Sequence, residues 1–465
     1  MHPLPTPITS PSAPGAVMVY FAGAGGADCG IQSALGRSVD VAINHCELAL
    51  SVNSRNHPNT RAMVSDVWEV DPSAALGGRL TEYIHYSPDC RHFSRARGSK
   101  PVEKNIRGLA WVVPDSLRVL QPTWFSCENV AELAQWGELM QKTDADGEPV
   151  FDAKGEPVMI PDPSDVGSIF RKWIASIEAL GYTVEWRVLN AKDYGVASSR
   201  ERLFVIGRRD GKAINWPEPS HGAGRVPYKA SGECIDWSIP AHSIFLSKEQ
   251  GRAVNVRRPL AENTLRRIAQ GVKRFIIEDD DPYMVDLDGE SAAVPYFVPR
   301  YGERSGQTPR CRSARDPLGT IVPTNNQGSL VFGALAKHFT GVVGHSLRTP
   351  MGTITSVDHH SLTRCDGVTQ LDETTRERAV AVADFVREYA GIDVPEVIEV
   401  KGAILVDVSM RMLAPPELYL ANGFSPDFCF TEGADGRKLT IKDQMRLVGN
   451  SVPPPVMEAI CRANK

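Results

Sequence analysis

Cys90 stands in the polar stretch Ser87-Pro88-Asp89-Cys90-Arg91-His92-Phe93-Ser94. A thiolate is a strong nucleophile that can add to an electron-poor ring carbon, and it needs an electropositive setting to ionise. Arg91 and His92 offer that setting, while Asp89 opposes it. Glu128, in Glu128-Asn129-Val130, is a carboxyl that can protonate or hydrogen-bond a ring nitrogen if burial raises its pKa. Arg200 and Arg202 flank Glu201 just before an apolar run. In a strand they share one face and can clamp a carbonyl oxygen and a phosphate. Each also has an ordinary structural explanation: a small buried hydrophobe for Cys90, a salt bridge for Glu128, an ion pair for the arginines.

A second group of residues suits a bound small molecule. Phe21-Ala22-Gly23-Ala24-Gly25-Gly26 follows an apolar run, and glycines let the backbone approach a ligand closely and adopt positive φ. The GxGxxG spacing of dinucleotide sites is incomplete, so a nucleotide or adenosyl ligand and a plain tight turn both stay open. The next apolar run ends at Asn44, where an acid usually meets ribose hydroxyls; an amide donates and accepts there without charge. Asp66, in Ser65-Asp66-Val67-Trp68, is a candidate acceptor for an adenine amino group, or a helix cap or loop acid.

The elements that must position these residues alternate. Val17 to Phe21 reads as a strand entering the glycine turn, and Ile31 to Leu35 as a helix. Val39 to Asn44, Ile84 to Tyr86 and Thr123 to Ser126 read as strands that end in polar motifs. Phe170 to Leu180 reads as an amphipathic helix, then Val184 to Leu189 and Leu203 to Ile206 as strands. The pattern predicts an α/β, doubly wound sheet with ligands at the carboxyl ends of its strands. Residues 137–165 interrupt it, with Gly147-Glu148-Pro149-Val150 echoed by Gly155-Glu156-Pro157-Val158; an inserted, exposed hairpin is expected. Domain bounds follow: a tail at 1–16, a first domain at 17–213, a second, smaller domain at 214–405, and a return to the first from 406, closing in a helix at Val456 to Arg462.

Beyond residue 213 Pro, Gly and Arg become frequent, and Asp316-Pro317-Leu318-Gly319-Thr320-Ile321-Val322 is echoed by Thr349-Pro350-Met351-Gly352-Thr353-Ile354-Thr355. Two copies mark two similar loop-strand units, not a solenoid. Arg252, Arg257, Arg258, Arg266, Arg267, Lys273 and Arg274 surround one acid, Glu262. The net charge of −5 does not advertise nucleic-acid binding, but local basic stripes carry phosphate contacts whatever the total. The same stripe on a solvated helix face is the alternative.

At 465 residues, 42% apolar and 23% charged, the composition is that of a two-domain globular protein. There is no apolar run of membrane-spanning length, so no membrane partner is expected. The proline-rich start reads as a disordered tail. Nine scattered cysteines without a CxxC pair point to reduced thiols in the cytoplasm, with neither metal site nor disulfide framework.

With their order taken into account, these residues resemble the DNA (cytosine-5) methyltransferase family from about Val17 to Ile460. Phe21 to Gly26 is similar to its S-adenosylmethionine loop, Ser87 to Ser94 to its nucleophile motif, and Glu128-Asn129-Val130 to its ENV motif. Leu189-Asn190-Ala191, Tyr194-Gly195-Val196 and Arg200-Glu201-Arg202 resemble its arginine motif; Arg411-Met412-Leu413 with Glu417 and Phe424 resembles the stretch supporting its recognition domain. Gly449-Asn450-Ser451-Val452-Pro453 looks like its last motif, which returns to the cofactor.

The resemblance implies a Rossmann-like class I S-adenosyl-L-methionine-dependent methyltransferase fold carrying a target-recognition domain. It implies S-adenosyl-L-methionine on Phe21, Gly23, Gly25, Gly26, Asn44, Asp66, Asn450 and Ser451. The partner it implies is double-stranded DNA, contacted by Ser94, Asn129, Arg200, Arg257 and Arg258, and a monomer is expected. A cytosine is flipped out of the duplex; Cys90 adds to C6, Glu128 stabilises protonated N3, Arg202 holds O2, and C5 takes the methyl group.

Four positions depart from the family pattern. Pro-Cys-Gln is replaced by Pro88-Asp89-Cys90-Arg91; alignment on Phe93-Ser94 keeps Cys90 as nucleophile. Asn44 replaces the ribose acid, Ser198 a usual Gln, and Pro416 the Arg before Glu417. Asp89 and Asn44 motivate an alternative, a DNA-binding relative that is inert or transfers an altered group. An RNA cytosine methyltransferase and a nucleotide-dependent oxidoreductase are further alternatives; the latter leaves Cys90 and Glu128 without a task.

Overall fold

The computed structural model describes residues 14–89, 108–144, 146–152, 155–281, 372–400 and 403–465, and within 282–371 the backbone of short strands alone. Cys90 and Ser94 lie outside the described residues.

Seven strands form the main sheet: β1 (Ala16–Tyr20), β2 (Val41–Asn44), β3 (Arg61–Val64), β4 (Thr81–Tyr86), β5 (Trp124–Asn129), β6 (Thr183–Asn190) and β7 (Glu201–Arg208). Their order is β3-β2-β1-β4-β5-β7-β6. The first five run parallel, and β7 lies antiparallel between β5 and β6. This is the α/β sheet expected from the alternating pattern, and its order agrees with the Rossmann-like fold that the resemblance implies. Every residue of β1 and β5 is buried, as central strands covered on both faces require.

The period of two sends alternate side chains to two cores. Val17 and Val19 meet the face covered by α1 (Gly26–Leu35) and the C-terminal helix Pro454–Asn464, beside Ile31, Met457 and Ile460. Met18 and Tyr20 meet the other face, with Leu117, Trp173 and Ile177 from helices Val112–Leu120 and Ser168–Glu178. The C-terminal helix crosses α1 at Gly30, where any β-carbon would collide with the Pro454 carbonyl and Met457. That crossing brings the end of the chain onto the face of the sheet that α1 covers.

A second sheet is built on Ser361–Val368 and Ala403–Met412, antiparallel to each other, with His242–Ser243 and several two-residue strands at its edges. The second of these strands runs past the expected boundary at 405 to Met412. Helices Glu262–Val272 and Glu373–Ala390 pack beside this sheet through Ile268, Val272, Val382 and Val386.

Residues 137–165 form a compact ladder. Leu139–Gln141 pairs antiparallel with Met159–Pro161. Inside it, three amides close a ring: Lys142 N–H donates to Val158 O, Val158 N–H to Val150 O, and Val150 N–H to Lys142 O, at 2.8, 2.9 and 2.9 Å. The sequence echo is a geometric one, since Asp144 and Asp152 accept from the N–H of Glu148 and Glu156 through the same carboxylate oxygen, both at 3.0 Å.

Among the described residues no helix is long and apolar enough to cross a membrane, and no His, Cys, Asp and Glu cluster could hold a metal ion.

Candidate active site

The carboxyl ends of β1, β2, β3, β4 and β5 carry, in turn, the glycine turn, Asn44, the Asp66 loop, Ser87 with Pro88, and Glu128 with Asn129. The strand order reverses at β1, between β2 and β4, and this is where such sheets bind ligands.

Glu128 is 6% exposed. Its Oε1 lies 3.1 Å from Arg202 Nε and 3.7 Å from an Arg200 guanidinium nitrogen. The pairing of β7 with β5 supplies this contact, because Phe204 lies opposite Glu128 and the chain entering β7 carries both arginines past it. Arg202 also donates to the Glu201 carbonyl at 2.7 Å, and Arg200 to the Gly449 carbonyl at 3.1 Å. One buried arginine therefore joins the carboxyl of the ENV triplet to the closing glycine motif.

Asn129 is 1% exposed and works in the other direction. Its Nδ2 donates to the Pro88 carbonyl at 2.9 Å while its Oδ1 accepts from Val130 N–H. The chain two residues before Cys90 is thus held against the end of β5.

Four of the described thiols make poor rivals for a nucleophile. Burial pushes Cys29, Cys234 and Cys461 up to about 12, and Cys127 further still.

Gly23 has open space around its α-carbon, whereas Gly26 is seated on the Val452 carbonyl and the Ser451 side chain. The glycine turn and the last motif are thus one surface. Phe21 at φ 57° and Gly25 at φ 111° shape the turn. Ser451 spends its hydroxyl on the Leu447 carbonyl at 2.8 Å, and Asn450 is exposed. Asp66 is exposed and accepts from Trp68 N–H. Asn44 is engaged through both ends of its amide: Nδ2 donates to the Ala22 carbonyl at 2.7 Å, and Oδ1 accepts from Cys46 N–H at 2.9 Å. It ties the glycine turn to the end of β2.

Arg257 is exposed, but Arg258 is buried and directs its three nitrogens to the carbonyls of Ser243, Arg257 and His242. Burial pushes its guanidinium down to about 10. Arg258 therefore braces the loop that presents Arg257.

Two buried polar groups escape notice in the sequence. Beneath the glycine turn, Asp28 is 1% exposed and neither carboxylate oxygen has a hydrogen-bond partner; burial raises its pKa against the opposing charge of His57. His57 Nε2 lies 3.3 Å from the Gly25 carbonyl. On β4, His85 Nδ1 lies 2.8 Å from Ser126 Oγ, which meets Tyr83 at 2.6 Å. Asp28 at the start of a helix after glycines was the visible signal; His85 gives none.

The C-5 cytosine-specific DNA methylase model matches residues 16–141 and 163–272, more than half of the chain. The type II methyltransferase M.AquIA of Picosynechococcus sp. is 29% identical over 241 residues, 48% of this chain and 88% of that one. M.SacI of Streptomyces achromogenes is 28% identical over 234 residues, 44% of this chain and 50% of its own length. The S. pombe Dnmt2 methyltransferase structure overlaps 96% of each chain at 12% identity with a TM-score of 0.48.

Proposed function

The chain belongs to the C-5 cytosine-specific DNA methylase family and is a DNA (cytosine-5) methyltransferase; from that premise we propose that it acts on a cytosine flipped out of duplex DNA, through a covalent bond from Cys90 to C6. The observation that carries the reading is the convergence on one strand end. Glu128 is clasped by Arg202 and Arg200, and the next residue, Asn129, holds the Pro88 carbonyl that leads into Cys90.

In this reading Glu128 meets N3 of the flipped base, and Arg202 turns its remaining donors to O2. Their fixed pairing orients both before the base arrives, which is how positioning lowers a barrier. Cys90 Sγ bonds to C6, and the electron pair released by the C5–C6 double bond makes C5 the nucleophile. After C5 is methylated, loss of its proton restores the double bond and expels the thiolate.

The residues fit S-adenosyl-L-methionine as methyl donor. Gly23 leaves the turn open to close approach, Gly26 joins it to Ser451, and Asp66 and Asn450 offer exposed polar groups at the same edge. Phe21, Gly25 and Asn44 would set the shape of this pocket. S-adenosyl-L-methionine supplies an electrophilic methyl there; the protein supplies orientation and exclusion of water.

Residues 214–405 would be the target-recognition region. Arg257 would meet the backbone phosphates, and Ser94 would be a further DNA contact. One base on one strand needs one pocket, so the enzyme would act as a monomer.

The test is trapping on duplex oligonucleotides containing 5-fluorocytosine, with S-adenosyl-L-methionine, for wild type and Cys90→Ser. Fluorine at C5 blocks the final elimination, so wild type should stay covalently bound and Cys90→Ser should not. Binding without any adduct in wild type would favour an inert relative.

A further inference from the structure

The echo in the variable region leads to the arginine pair. Met351–Gly352, within Thr349-Pro350-Met351-Gly352-Thr353-Ile354-Thr355, forms a parallel pair with Ser198–Ser199. The register is Met351 beside Ser198 and Gly352 beside Ser199. This two-residue ladder belongs to neither large sheet. On its one side, Ser199 is bonded directly to Arg200, whose guanidinium lies 3.7 Å from Glu128 and 3.1 Å from the Gly449 carbonyl. On its other side, the chain continues to Ser361–Val368, a strand that pairs with three others in the second sheet.

Ser198 and Ser199 are held tightly at the catalytic end. They are 0% and 7% exposed, and Ser198 Oγ has no hydrogen-bond partner. Ser198 has no side-chain anchor and is placed by its backbone neighbours, and the Met351–Gly352 pair is one of them. A shift of this pair must move Ser198–Ser199, and Arg200 is the next residue.

We propose that the backbone pair between Met351–Gly352 and Ser198–Ser199 is a specificity device: it holds Arg200 against Glu128 while the recognition region is seated on its own DNA site, and a recognition region displaced by a wrong sequence breaks the pair and draws Arg200 away. It rests on the methyltransferase reading and on 214–405 being the recognition region. Met351 and Gly352 are positioning residues: they act through Arg200 and touch no reacting atom. Their effect is on the rate after binding, so wrong sequences are bound and then left unmethylated.

The experiment uses the full chain. Methylated sites on plasmid DNA, read by bisulfite sequencing, first define the enzyme's own site. Single-turnover rates and dissociation constants are then measured on that site and on sites altered at one base pair. Met351→Pro/Gly352→Pro removes both N–H groups of the segment; Met351→Ala/Gly352→Ala keeps them. The proline variant should lose roughly tenfold or more in rate on its own site, a typical coupling magnitude. Its rate on altered sites and its affinities should not change, and the alanine variant should behave as wild type. Equal loss on both kinds of site, or no loss on either, overturns the proposal. If the double proline variant does not fold, Gly352→Pro alone is held to the same criteria. A wild type that methylates no duplex would overturn the methyltransferase reading itself, whereas an active wild type with unchanged discrimination in the variant overturns the coupling alone.

Discussion

Arg202 Nε sits 3.1 Å from Glu128 Oε1 across two neighbouring antiparallel strands, with both side chains almost fully buried. Neither group is free to search for a partner when a base arrives. The cost of ordering and dehydrating them is met by the fold, and the pair is presented ready-made.

Glu128→Gln should therefore slow methyl transfer by about 10² to 10⁴, the range for a positioned acid or base. The amide keeps the volume and one acceptor but lacks the charge that stabilises protonated N3. Single-turnover methylation, with thermal unfolding as control, decides the matter. A variant that loses stability and keeps its rate would make Glu128 a structural ion-pair partner.

Arg202→Lys should also be slow, by about tenfold or more, although its charge is kept. Lysine cannot reproduce the fork that reaches Glu128 through Nε and the Glu201 carbonyl through Nη1. A rate equal to wild type would show that charge alone suffices at this position.

Asn44→Asp restores the acid usual at the end of β2, and it should weaken the protein. A carboxylate cannot donate to the Ala22 carbonyl, and its oxygen would stand where Nδ2 now lies 2.7 Å away. Loss of that bond, with an acceptor left facing an acceptor, should cost about 1–3 kcal/mol. S-adenosyl-L-methionine affinity should fall with it, since the glycine turn loses its tie. Urea unfolding and cofactor titration test this. Tighter binding at unchanged stability would instead make residue 44 a ribose contact.

Asn44 also shows where sequence reading stops. The strands around it were legible as apolar runs ending in polar motifs, and so was the α/β class, because burial on both faces leaves a direct mark on β1 and β5. The spent amide was not legible: it depends on the distance between the glycine turn and β2, which only the β1–β2 pairing sets. The antiparallel direction of β7 was hidden for the same reason, though it brings Arg202 to Glu128. Helix Glu373–Ala390 did carry a signal that went unread, the capping box at Asp372 and Thr375. The repeated Gly-Glu-Pro-Val was legible as a hairpin, but not as a closed ring of three amides.

That ring gives a prediction about residues 137–165. Replacing Lys142–Val158 by a short glycine link should leave methylation largely intact. The ring makes its own hydrogen bonds, and the contacts to the main domain are made by Trp136, Leu139, Met159 and Ile169 around a shared cavity. Methylation of plasmid DNA by the shortened chain checks it. Complete loss in a folded variant would place the ladder in the site.

His85 predicts how stability depends on pH. It is fully buried on β4, and burial alone lowers its pKa to about 3, against about 6.5 in an unfolded chain. Between those values the unfolded chain binds a proton that the folded chain refuses. Stability from this site is thus intact above pH 6.5 and is lost as pH falls toward 3, at about 1.4 kcal/mol per pH unit. His85→Asn keeps a polar group for Ser126 Oγ and cannot titrate. It should start less stable at pH 7.5, because its smaller side chain leaves space, yet its urea midpoint should fall less steeply from pH 6.5 to 4.5. Parallel slopes for the two proteins would show that His85 takes up its proton in the folded state, through its unpartnered Nε2.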